Sequence, residues 1–525
     1  MKRDRTTGYL ALAGVLTGIA GLVTSQATVW ALRATNPPVE AVASAVRDYT
    51  PGNLAVRLVH LVGHRDKPLL VSGTIVILLA ICAVTGMLVR RHPVLPDVVF
   101  VLLAVLGLAS VARLDDSGTA SGLAVVVGLV TWIVALRFLT APLLAAPAGT
   151  PPAGTAPAGT APAGAAPDTP PATSSRRAFL VRAGATAVVV AVTGAAGRYA
   201  GRARRRVEEA RKLLRLDFVH KGAVPDRAQL QVPGIAPWRT PNDAFYLIHT
   251  ALSAPAILPQ DWRLRIHGMV DQEITLSYDD LLSHELTEAW VTLCCVSNEV
   301  GGDLIGNAYW SGVLIRDILR MARPSADADA VLQTSRDGWT CGTPLAALTD
   351  DRNAMLALAM NGDPLPIDHG FPVRMVVPGL YGYVSATKWL VDLEVTRFDR
   401  FDAYWTERGW SEKGPVKTQS RIDVPRGGKV PAGSMRVGGS AWAQHTGIEK
   451  VEFQLDGGPW QRAELGTVPD VDTWVQWSGG VDVGEGKHTL VVRATDKSGY
   501  TQTSARADVV PDGATGWHTV SFRAE

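Results

Sequence analysis

Four apolar stretches crowd into the first 140 residues of this 525-residue chain and constrain its fold more than any other feature. Residues 9–32, 69–89 and 120–139 are each near the ~20 residues that a bilayer-spanning helix needs, and 98–111 is shorter. Any one of them alone could be a buried core helix, but four in succession with short polar breaks predict a membrane anchor of four helices over 1–140. Lys2, Arg3 and Arg5 precede the first stretch and Arg90 and Arg91 follow the second, which predicts both places on the cytoplasmic side. The segment 33–68, read as a loop, adds Arg47, Arg57, Arg65 and Lys67 and dilutes that bias. His60, His64 and His92 lie between the apolar stretches and none lies inside one, so no haem is expected.

Residues 141–175 read as a linker, because the Ala/Pro/Gly/Thr tract 146–171 with its repeated Pro-Ala-Gly-Thr cannot pack a core. Next comes Ser174-Ser175-Arg176-Arg177-Ala178-Phe179-Leu180 ahead of an apolar run, 183–196, which resembles a twin-arginine export signal. An ordinary anchor with basic flanks is the alternative. The export reading makes 176–200 a fifth span, so the protein is a multi-pass membrane protein in contact with lipid, and the chain beyond residue 200 lies on the extracytoplasmic side. Arg198, Arg202, Arg204, Arg205 and Arg206 run against that orientation, since basic residues favour the cytoplasm.

Beyond residue 200 the composition is globular. A formal net charge of only +2 with 19% charged residues predicts no nucleic-acid partner. Four cysteines, Cys82, Cys294, Cys295 and Cys341, are too few for a disulfide framework. The run Ala289-Trp290-Val291-Thr292-Leu293-Cys294-Cys295-Val296-Ser297-Asn298 predicts a buried strand that delivers a thiol to a glycine-bearing turn. Side chains alternate along a strand, so only one of the two cysteines can face a given pocket. From the strand alone, two buried cysteines acting as small hydrophobes remain an equal reading. Downstream, His369, Arg374 and Lys388 gather among glycines and prolines beside an apolar strand, which favours a site for an anion.

The strand Val-Thr-Leu-x-Cys-x-x-Asn, the segment His-Gly-x-Pro-Val-Arg-x-Val-Val-Pro-Gly and the later Lys-Trp-Leu, in that order, resemble the sulfite oxidase family of molybdopterin-dependent oxidoreductases. The resemblance covers residues 233–525. It implies a Mo-molybdopterin cofactor with Cys295 as the thiolate that binds the metal and the catalytic residue, Cys294 facing away. It also implies cofactor contacts from Asn242, Phe245, Tyr246, Asn298, His369, Arg374, Ser385, Thr387 and Lys388, although Phe245 and Tyr246 could equally be core aromatics. Animal and plant members carry oxyanion-binding arginines directly after the motif asparagine, where this chain has Glu299 and Val300. A further pocket arginine, from the second domain, has His445-Thr446-Gly447 in its place. A pocket without those cations should hold a dianion poorly, so a neutral sulfoxide suits it better than sulfite.

From about Pro425 short strands with spacings near ten residues, among them Glu449-Lys450-Val451-Glu452-Phe453-Gln454-Leu455 ahead of Asp456-Gly457-Gly458, predict an immunoglobulin-like sandwich over 425–525. The expected class is therefore α+β: transmembrane helices, a mixed α+β molybdopterin-binding domain over 201–424, and the sandwich. The resemblance implies oxygen-atom transfer with a small sulfur-centred substrate and a separate electron donor or acceptor, and it gives the sandwich the role of making a homodimer, with binding of the electron carrier as the alternative. A non-catalytic surface binding protein that has lost its cofactor is the rival reading.

Overall fold

The computed structural model describes residues 5–32, 37–50, 66–113, 119–144, 173–200, 203–216 and 219–525, in two compact units, Met1–Ala203 and Arg204–Glu525. The tract 146–171 and His60 and His64 lie outside the described residues.

Among the described residues of the first unit, five helices are long and apolar enough to cross a membrane, with spans Thr6–Ala31, Lys67–Leu88, Leu95–Ala112, Thr119–Leu144 and Arg176–Ala196. The third is longer than its apolar run suggested. Leu95–Ala112 takes in Pro96 and Asp97 in its first turn, where a missing N–H costs nothing and an acid suits the helix dipole. The plain loop expected over 33–68 is corrected: Pro38–Tyr49 forms a helix with Glu40 in its first turn and Arg47 in its last. Ala41 fills a small apolar cluster with Ala104, Val111 and Val125, so alanines rather than large side chains bury its face. That composition hides the helix from a search for apolar runs.

The second unit opens within a basic helix, Ala203–Leu213, from Arg204 onward, and then holds two sheets and a sandwich. One sheet runs Ile274–Ser277, Arg263–Gly268, Leu390–Thr396, Ala330–Ser335 and Thr340–Pro344. The other carries the cysteine strand, Leu286–Cys294, at its edge, followed by Ile305–Leu314 and Met355–Met360, with Asp363–Pro364 and Arg374–Val376 both paired to the last of these. Every residue from Ala289 to Cys294 is buried. Ala289, Val291 and Leu293 point into a cluster with Phe245, Trp310, Phe371 and Trp389. Trp290 and Cys294 point into the larger one on the opposite face. Burial on both faces is why this strand reads as a continuous apolar run.

The sandwich starts at Gln419–Val424, ahead of Pro425, and its two sheets close on Ile422, Val437, Phe453, Trp477, Leu490 and Phe522. It also finishes the free edge of the cysteine strand. The Thr292 N–H donates to the Asp472 carbonyl (3.0 Å), Gln444 Nε2 donates to the Thr292 carbonyl (3.2 Å), and Thr292 Oγ1 accepts the Trp474 N–H (2.8 Å). Trp238 and Trp474 donate their indole N–H groups to each other's carbonyls, at 3.2 and 2.9 Å.

Thr292→Val keeps the volume but strands the buried Trp474 N–H and removes the donor to Asn307 Oδ1. It should cost about 1–3 kcal/mol, read as a lower urea midpoint for the globular part with an unchanged m-value.

Candidate cofactor site

Cys295 lies one residue past the strand, where the chain turns. Its N–H donates to the Leu304 carbonyl (2.9 Å) and its carbonyl accepts the Asn298 N–H (3.1 Å). Asn298 Oδ1 in turn accepts the Leu304 N–H (2.9 Å), so this side chain shapes the loop that holds the thiol. Burial pushes the Cys295 thiol up from its ordinary range, and hydrogen bonding with Ser297 and the charge of Lys388 oppose it. Burial also raises Cys294, well above the ordinary value, and the neighbouring Cys295 adds to that. Of the two thiols, Cys295 is the one that meets a lysine's field.

The turn 240–246 is fixed from below. Asn361, with φ of 56° in an Asn-Gly turn, donates to the Thr240 carbonyl (2.9 Å) and to Asn242 Oδ1 (2.7 Å), while Asn242 Nδ2 donates to the Met360 carbonyl (3.1 Å). Phe245 stacks on Tyr246, with ring centroids 5.2 Å apart, and meets His369 and Trp310 edge-on at 5.7 and 5.8 Å. Burial raises the Tyr246 hydroxyl far above its ordinary value, with negative charge on Cys295 and Cys294 pushing the same way.

His369 is 5% exposed and its Nε2 lies 3.0 Å from the Asn242 carbonyl, which assigns the ring proton to that nitrogen. Nδ1 is then a buried acceptor, and it has no partner. Burial, helped by the charges of Lys388 and Arg374, lowers this imidazole from 6.5 to about 3, so the ring is neutral.

Arg374 is 3% exposed, and burial lowers it to about 10. It donates to the His369 carbonyl at 3.2 Å, reaches two other carbonyls only at 3.4 and 3.5 Å, and lies 5.0 Å from the Trp310 ring centre. Among the described residues no carboxylate pairs with it. Lys388 Nζ donates to the Asp368 carbonyl at 3.0 Å. Gly370, at φ +110°, lets these two cationic segments approach, since a Cβ there would fall 2.9 Å from the Arg374 Cβ and 3.1 Å from the Lys388 Cα.

Asn242, Phe245, Tyr246, Cys295, His369, Arg374 and Lys388 are thus brought together. Asn298, Ser385 and Thr387 lie on the same loops but direct their polar atoms inward. Ser385 Oγ donates to the Tyr381 carbonyl (2.9 Å), and Thr387 Oγ1 faces Cys341 Sγ at 3.2 Å. Tyr381 escaped the sequence reading although it stands between Gly379, which closes the second motif, and the Lys-Trp-Leu motif. It is 3% exposed and its hydroxyl, which accepts the Lys417 N–H at 3.3 Å, is held up by burial and by negative charge on both cysteines. Asn361 was also missed, and its Asn-Gly pair was the available signal.

Residues 251–405 match the family model described as oxidoreductase molybdopterin binding domain. The chain is 33% identical over 270 residues to mitochondrial sulfite oxidase of Mus musculus and of Homo sapiens, covering 43% of this chain and 49% of each relative. It therefore spans about half the length of these curated relatives. It is 33% identical over 153 residues to the uncharacterized oxidoreductase YuiH of Bacillus subtilis (strain 168), covering 29% of this chain and 74% of that protein. A solved structure, the sulfane dehydrogenase SoxCD from Paracoccus pantotrophus, aligns with 59% of this chain and 92% of its own at 22% identity and a TM-score of 0.48. Between residues 251 and 405, then, the class is a molybdopterin-binding oxidoreductase domain. The chain belongs to the sulfite oxidase family. Its cofactor, Mo-molybdopterin, fits the donors present: a buried guanidinium with no counter-charge, an unpartnered imidazole acceptor and a soft thiol.

Two histidines, the buried His369 and the half-buried His518, make the fold acid-sensitive. His369 and His518 are lowered from 6.5 to about 3 and about 4, so below pH 6.5 the unfolded chain takes up protons that the folded one refuses. Their stabilisation is complete above pH 6.5 and drains away as the pH falls, at about 1.4 kcal/mol per pH unit for each. His369→Asn should flatten the fall in unfolding free energy of cofactor-free protein between about pH 6 and 4.5 by that slope, measured by denaturant titrations across the range.

Proposed function

We propose that this chain is a membrane-anchored molybdopterin-dependent oxidoreductase that moves an oxygen atom to or from a small sulfur-centred substrate. The observation that carries the reading is Arg374, a buried cation without an anion, set beside a neutral histidine and within one cluster with Cys295. When bound, the molybdenum cofactor supplies two-electron oxygen-atom transfer.

The residues around it have separable tasks. Cys295 gives the thiolate ligand, and Lys388, whose field already opposes the effect of burial on that thiol, favours the deprotonated form. Arg374 and Lys388 are suited to a phosphate. His369, held neutral, offers Nδ1 to a ligand N–H or O–H and keeps its other nitrogen on Asn242. The stacked Phe245 and Tyr246 wall the site and exclude water. Tyr246 and Tyr381 stay protonated at every physiological pH and so can donate.

Substrate preference is set by charge. Glu299 and Val300 come directly after the loop asparagine, and His445 lies against Asp472, its Nδ1 3.5 Å from Oδ1, so the pocket is short of cations for a dianion. A neutral sulfoxide fits it better than sulfite. Electrons pass singly to or from a separate carrier, since no haem or iron–sulfur motif is present in the sequence. The five apolar helices anchor the chain, and the twin-arginine-like segment at Arg176 and Arg177 supports an extracytoplasmic site.

Purified wild-type chain should contain close to one molybdenum per polypeptide by elemental analysis, Cys295→Ser background levels of turnover, and Cys294→Ala near wild-type metal. A sulfoxide with a reduced dye should turn over faster than sulfite with a one-electron acceptor. Metal-free wild-type protein would remove the reading altogether.

A further inference from the structure

The loop that runs from Cys295 to Leu304 is gripped by the C-terminal sandwich. Arg421, on the strand Gln419–Val424, is 8% exposed and donates through Nη1 to the Gly302 carbonyl at 2.9 Å, across 119 residues of sequence. Its Nε donates to Asp423 Oδ1 at 2.9 Å, and Asp423 is itself 5% exposed. From the strand His518–Ala524, His518 accepts the Ile422 N–H through Nδ1 at 2.9 Å and presents the far side of its ring to Gly301. The approach is so close that a Cβ on Gly301, whose φ is +81°, would lie 2.2 Å from His518 Nε2 and Cδ2. Upstream, the edge of the strand that leads to Cys295 is completed at Thr292 by Gln444, Asp472 and Trp474.

His518 ties the two sheets of the sandwich through the Ile422 N–H, but the apolar core between them is made without His518 or Arg421. That core is made by Ile422, Val437, Phe453, Trp477, Leu490 and Phe522, and a buried Arg–Asp pair is commonly no more stabilising than apolar residues of the same size. What Arg421 adds that an apolar side chain could not is a directed bond to the backbone of the loop just past the cysteine. Loops bearing a ligand that must sit within a fraction of an ångström gain most from such outside support.

We propose that Arg421 and His518 are positioning residues for Cys295, the sandwich acting as a clamp that holds the loop 296–304 and so presents the thiol in one place. The inference rests on the reading of Cys295 as the metal ligand, and its test is built to fail separately from that reading.

In cofactor-free full-length protein, the rate at which iodoacetamide alkylates Cys295, followed by peptide mass spectrometry, should rise about tenfold in Arg421→Gln as the loop opens locally. Arg421→Lys, which keeps a donor, should return most of the way. In metal-loaded protein Arg421→Gln should shift the molybdenum(V) paramagnetic resonance spectrum while metal content stays near wild type. His518→Asn, which leaves an acceptor for the Ile422 N–H but withdraws the ring from Gly301, carries the same two expectations. Unchanged alkylation and spectra in both variants overturn the proposal. Loss of folding in both also overturns it, because the two residues would then serve the sandwich itself. If wild-type protein holds no molybdenum, the metal-ligand reading fails, while the alkylation rates still report whether the clamp exists.

Discussion

The strand Leu286–Cys294 is an edge strand packed on both faces, and that combination dictates where chemistry can occur. From Ala289 onward its odd-numbered apolar side chains fill one cluster, while Trp290 and Cys294 fill the other, so a reactive group inside it would be buried among hydrocarbons. Cys295, just past its end, belongs to neither cluster. The same strand has one edge paired to Ile305–Leu314 and the other left to side chains and loops of the sandwich. A backbone edge buried without partners would cost several kcal/mol. The sandwich therefore has to be where it is for this strand to exist as it does.

Around that fixed end the polar groups are unfinished in a consistent way. Among the described residues Arg374 has carbonyls but no anion, and His369 has one nitrogen engaged and the other idle. A protein that folded only for stability would not bury a guanidinium against Trp310 with no acid beside it, nor leave an imidazole acceptor unpaired a few residues away. Both deficits are removed by one ligand that carries negative charge and hydrogen-bond donors, which a phosphorylated pterin has.

Much of this was readable from residues alone, and the exceptions have physical causes. The long apolar helices announce themselves by length and hydropathy, and the burial of the strand up to Cys294 follows from its continuous apolar run. Arg374 was conspicuous as a cation inside an apolar segment. Asn298, Ser385 and Thr387 look like ligand donors in a motif, yet their polar atoms close the turns of their own loops or face a buried cysteine, a distinction that needs coordinates. The helix Pro38–Tyr49 is hidden by the small size of the residues it buries. Arg421 reads as one more charged residue in a strand, because its partner lies 119 positions away and is a backbone carbonyl.

Charge balance joins these points and bears on substrate. Arg421, which grips the cysteine loop, is already matched by Asp423 at 2.9 Å, and Arg352 is matched by Asp350 at 2.8 Å. His445 lies against Asp472 rather than facing an open pocket. Subtracting those pairs leaves Arg374 as the buried cation that has no carboxylate partner among the described residues, and a phosphate at the site would take it. Under the proposed function, a phosphate on Arg374 leaves no unpaired guanidinium of this set for a doubly charged oxyanion. In the proposed function a polar but neutral sulfur centre needs no such cation, and the protonated hydroxyls of Tyr246 and Tyr381 would be donors available to its oxygen.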